Sequence, residues 1–130
     1  MKDIIVKLLA IYHYAKDIHY SASGENFYAI HLLMDRICED IHSQIDDIFE
    51  ICYLGTGKVT PTSFEILKVA TATIPETLSL SLLEELIKDT ISAIEDSKRQ
   101  YLSFGGEVSL LDDIQKTLLQ KRGLLIRTNI

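Results

Sequence analysis

From Phe27 to Leu54 an apolar side chain returns every three or four residues, at Phe27, Ile30, Met34, Ile37, Ile41, Ile45, Ile48 and Cys52, with no glycine or proline in the run. That period is one face of a long amphipathic helix, which needs partner helices to bury it. The chain supplies three. Ile4, Ile5, Leu8, Leu9, Tyr12 and Ala15 mark a first helix over 4–19. After the run at 27–54, Leu82, Leu83, Leu86, Ile87, Thr90, Ile91 and Ile94 mark a third, opened by a capping box of Ser81 with Glu84 and ending near Phe104. Ser109 and Asp112 open a fourth in the same way, and it continues through Leu111, Ile114, Leu118 and Leu119 to about Arg127. No segment alternates polar and apolar residues as a strand would.

The connections set the topology. Residues 21–26 form a short turn in which Gly24 can take positive φ and Ser23 or Asn26 can cap the second helix. Between the second and third helices lie about 25 residues with Gly55, Gly57, Pro61 and Pro75, where Thr60 and Pro61 predict a short helix over 61–70. A crossover of that length lets the second and third helices run parallel. The predicted fold is therefore all-α, a ferritin-like four-helix bundle with a long crossover that contains a short helix. At 130 residues, 47% of them hydrophobic, residues 1–130 make one domain that buries roughly two-thirds of its unfolded surface without disulfides.

Charge narrows the partners. The net charge of −6 argues against nucleic acid and anionic membranes, and no apolar stretch approaches the roughly 18 residues of a membrane span. Cys38 and Cys52 lie about 21 Å apart along one helix, too far to pair. With no disulfide framework and no signal-peptide pattern, a reducing, cytoplasmic location is expected.

The second helix also carries His31, Asp35, Glu39, His42, Asp46 and Glu50. His31 and Asp35 are four residues apart, as are Asp46 and Glu50, so each pair projects to one spot. The step from Asp35 to Asp46 is three helical turns plus about 20°, which sets both pairs on nearly one stripe, about 16 Å apart. One chain cannot close both around a metal. Two copies with these helices antiparallel about a twofold axis can, because His31 and Asp35 of one then face Asp46 and Glu50 of the other. The imidazole and carboxylate set suits Fe(II), with Zn(II) and Mn(II) as competitors. A di-iron centre inside the bundle would need a second Glu-x-x-His pair besides Glu39 and His42, and all four histidines fall in the first 42 residues.

The run His19-Tyr20, Gly24, Phe27, His31, Asp35, Asp46-Asp47 and Glu50 resembles the signature of the Dps family (DNA-binding protein from starved cells), the mini-ferritins. In that pattern a His-Trp is followed by Gly five residues after the His, Phe at eight and a second His at twelve. Asp comes four later, then Asp eleven on and Glu four beyond, and every spacing is matched. Tyr20 stands where the family has Trp, and Ile51 where an Arg is common. The resemblance implies a homo-oligomer, a dodecamer built from twofold dimers, that acts as a ferroxidase. Such a shell oxidises Fe(II) with hydrogen peroxide or oxygen and stores the iron as ferric mineral, an oxidative-stress function. It also implies the ligands: His19, His31 and Asp35 from one subunit, Asp46 and Glu50 from its twofold partner.

DNA binding does not follow from the family name. All 19 acids fall within the first 113 residues, and the one basic block is Lys116, Lys121, Arg122 and Arg127, where positive charge ordinarily compensates a helix C-terminus. The competing expectation for the whole chain is a non-enzymatic helical-bundle assembly whose metal residues are structural or vestigial.

Overall fold

The computed structural model describes residues 1–100, 102 and 104–128, and among these every regular element is helical. The elements are α1 (Lys2–Ser21), α2 (Phe27–Ile48) with a π-helical extension (Phe49–Leu54), α3 (Ser63–Thr73), α4 (Leu80–Gln100) and α5 (Gly105–Thr128). The apolar stripes meet in one connected core in which Ile4, Leu8, Ile11, Met34, Ile37, Ile41, Ile87, Ile94, Leu111 and Ile114 are buried. No described helix is long and apolar enough to cross a membrane.

Side-chain contacts give the helix directions. Across α1 and α2, the Cys38 thiol donates to Tyr12 O while His19 meets His31, so the two are antiparallel. Across α4 and α5, Lys98 meets Asp112 and Arg122 meets Glu84, again antiparallel. The Tyr14 hydroxyl donates to Thr77 O at 2.6 Å and accepts from Ser79 N at 2.8 Å, which ties the C-terminal half of α1 to the start of α4. Hence α4 is antiparallel to α1 and runs the same way as α2. α5 packs beside α2, and α3 of the crossover lies on α1.

Several boundaries differ from the sequence expectation, each for a local reason. The crossover helix is capped by Thr62, not Thr60: its Oγ1 accepts from Glu65 N, Glu65 Oε1 accepts from Thr62 N, and the helix reaches Thr73. α4 is capped by Ser79, not Ser81, because Ser79 Oγ accepts from the backbone N–H of Ser81 and Leu82. Asn26 occupies the position before α2 but its side chain makes no cap bond. α5 begins at Gly105, four residues before the expected Ser109, with Glu107 N bonded to Phe104 O. Glycine costs about 1 kcal/mol inside a helix, the reason to place the start after Gly105-Gly106, yet it is tolerated in a first turn. The third long helix was expected to reach Phe104; it ends at Gln100, and residues 101 and 103 lie outside the described residues.

A polar network ties the α4–α5 pair. Lys98 Nζ lies 2.8 Å from both Glu95 Oε2 and Asp112 Oδ1, and Gln115 Nε2 donates to Glu95 Oε2. Hydrogen bonds from Lys98 and then Gln115 hold the Glu95 carboxyl at about 2, below its ordinary 4.5, while bonding to Asp112 and Glu95 raises the Lys98 ammonium. A depressed carboxylate contributes stability above its unfolded value, so that contribution is lost as pH falls from 4.5 toward about 2. The raised lysine contributes below its unfolded 10.5 and is lost above it. The thermal midpoint should therefore drop across the acid window, and Lys98→Met should flatten that part of the drop. An unchanged acid profile in Lys98→Met would remove the network from the account.

Candidate metal centre

Gly24, at φ 95°, makes the tight link that folds α2 back on α1 and sets His19 opposite His31. The two imidazoles stack with ring centroids 3.7 Å apart at 21°. His19 Nδ1 lies 2.9 Å from His31 O, and His31 Nδ1 lies 3.3 Å from His19 O. A carbonyl only accepts, so each Nδ1 carries the hydrogen and donates. In a neutral ring this selects the Nδ1–H tautomer, whose Nε2 carries the lone pair with which histidine binds a metal. The rings are walled by Phe27, 5.2 Å from His31, and by Tyr20, 5.1 Å edge-on from His19. Tyr20 is largely exposed.

Asp35, one turn beyond His31, does not join the two histidines in a three-ligand group. It borders an open hollow with Tyr12, Lys16, Glu39 and His42. Glu39 and His42 are exposed, so the one Glu-x-x-His pair does not enter the bundle interior.

At the other end of α2, Asp46, Asp47 and Glu50 are exposed, with one ligand atom from each within 4.8 Å of the others. This is the one such group of three among the described residues. Asp47 was not among the expected ligands, although its i, i+3 relation to Glu50 is a side-chain contact distance on a helix. Among the described residues none of the three forms an ion pair, whereas Glu65, Glu84, Glu95 and Asp112 each meet a lysine or arginine.

Glu50 sits where the α-helix widens into the π turn, with Gly55 N bonded to Glu50 O at 2.8 Å and Lys58 N to Tyr53 O at 3.0 Å. Single π turns inside helices recur at functional sites. Gly55 closes this one because a Cβ there would stand 2.7 Å from Ile51 O.

The structure thus brings His19 to His31, and Asp46 to Glu50 with Asp47, and leaves the two clusters at opposite ends of α2. The thiols take no part in either. Burial pushes both Cys38 and Cys52 up to about 11, so they stay protonated and act as small buried hydrophobes. The basic block on α5 is partly spent: Lys121 is buried 3.1 Å from Asp40 Oδ2, and Arg122 Nε lies 2.6 Å from Glu84 Oε1. No protein-family model matches the chain, and no curated protein matches it.

Proposed function

We propose that this chain is a Dps-like ferroxidase of ferritin-like fold, which oxidises Fe(II) at centres shared across a twofold axis and stores the ferric product inside a closed shell of twelve copies. One observation carries the reading: two complementary half-sites lie at opposite ends of α2, the stacked imidazoles of His19 from α1 and His31 at one end and, at the other, three carboxylates that form no ion pair among the described residues. Neither is a full coordination set, and together they form one. The antiparallel α1–α2 and α4–α5 pairs joined by a long crossover support the ferritin-like assignment.

Iron is the substrate. With hydrogen peroxide, two Fe(II) give up one electron each, two protons are taken up, and the peroxide leaves as two water molecules. The carboxylates neutralise the charge that ferric iron gains, and the Nε2 atoms keep Fe(II) bound at neutral pH. If the chain protects DNA, it does so by removing the reactants of Fenton chemistry.

The reciprocal His19–His31 bonds also support the second reading, a structural clasp between α1 and α2 in a non-enzymatic assembly. Aerobic Fe(II) titration separates the two. The ferroxidase should develop broad ferric absorbance far faster than buffer and should scatter light as about twelve chains of 14.7 kDa. A stable monomer at micromolar concentration would remove both the shell and the shared centre.

A further inference from the structure

The face of α2 that carries the half-sites continues past them in both directions. Tyr28, Leu32, Asp35, Glu39, His42, Asp46 and Glu50 follow one another at three- and four-residue steps, so they share one side of the helix. All are exposed except Asp35, which is half-buried. Tyr28 is 71% exposed and Leu32 39%, so both are open to a partner on this face. At the far end of the same face lies an open cavity of about 480 Å³ lined by Phe49, Tyr53, Leu54 and Lys58 among others.

We infer that Tyr28 anchors a second copy of this chain, its ring seated in the cavity at the end of the other copy's α2. The inference rests on the twofold pairing proposed above and adds the contact that holds it. In an antiparallel pair, the register that sets His31 against Glu50 and Asp35 against Asp46 also sets Leu32 against Phe49 and Tyr28 against Tyr53. At the centre of the same register Glu39 of each copy faces His42 of the other. Those two residues are not among the ligands from which the register was set, so their complementarity is a separate support for it. The cavity suits a tyrosine: Phe49, Tyr53 and Leu54 offer apolar walls for the ring, and Lys58 offers a donor to the hydroxyl. Both copies contribute one ring and one cavity, so the contact occurs twice and flanks both metal centres.

Two experiments test the anchor. In Leu32→Cys with Phe49→Cys, which keeps Tyr28, mild oxidation should give a covalent dimer on a non-reducing gel, since the native Cys38 and Cys52 are buried. Persistence of monomer in that variant would overturn the register. Separately, Tyr28→Ala should raise the dimer dissociation constant by at least tenfold in sedimentation, and Tyr28→Phe should stay near wild type because it keeps the ring. Normal assembly of Tyr28→Ala, with metal binding still lost in Asp46→Asn/Glu50→Gln, would sink the anchor and leave the shared centre standing. A wild-type chain that never associates would sink both.

Discussion

Two inactive variants should restore activity when mixed. Asp46→Asn with Glu50→Gln removes the acidic half of every centre, and His31→Ala with Asp35→Asn removes the imidazole side. Each variant alone should fall to the uncatalysed rate of Fe(II) oxidation, because only one side of each centre can still hold the ion. Co-refolded at equal amounts, half of the dimers are mixed. One of the two centres in each mixed dimer draws both halves from unmutated ends, so about a quarter of all centres should be intact. Stopped-flow absorbance on verified mixed dimers measures this directly. No recovery would remove the shared centre, because the half-sites of one chain lie about 16 Å apart along α2 and cannot close on one ion.

The largest effect on stability is expected on α1, which packs against α2, α3 and α4 and carries His19. Ile11 is wholly buried in that junction, and two residues away His13 is exposed. Ile11→Ala should cost about 2–5 kcal/mol, as burial is lost and the bundle closes only partly over the cavity. Against a total of roughly 5–15 kcal/mol for a domain, that is a large share. His13→Ala should stay within about 0.5 kcal/mol. Denaturant midpoints for the pair decide it, and equal midpoints would mean that α1 is not the hub of the core.

The helices were legible because their apolar residues repeat at the helical period, a signal that needs no partner to read. The caps were less so, since Thr60 and Thr62, or Ser79 and Ser81, are equivalent candidates by residue type. Glu65, three residues after Thr62, did mark the correct cap of α3. Nothing local marked Ser79. Its selection comes from Tyr14, whose hydroxyl accepts from Ser79 N–H and donates to Thr77 O and so fixes where the chain turns into α4. The π turn was hidden as well, because Phe49–Leu54 reads as an ordinary continuation of α2 until the room beside Gly55 is known.

For the candidate centre, the sequence by itself determined the two pairs, their shared stripe and the impossibility of joining them within one helix, since those follow from residue spacing and the fixed rise of an α-helix. Only the tertiary structure decided which atoms are free to bind. The fold of α2 onto α1 ties each Nδ1 of His19 and His31 to the opposite backbone and so leaves the Nε2 atoms out of those bonds, while Asp35 stays apart and Asp47 joins Asp46 and Glu50. Packing of α5 on α2 likewise buries Lys121 beside the half-buried Asp40, which pairs a residue that reads as free surface charge. These outcomes depend on contacts between segments far apart in the chain, which helical spacing does not encode.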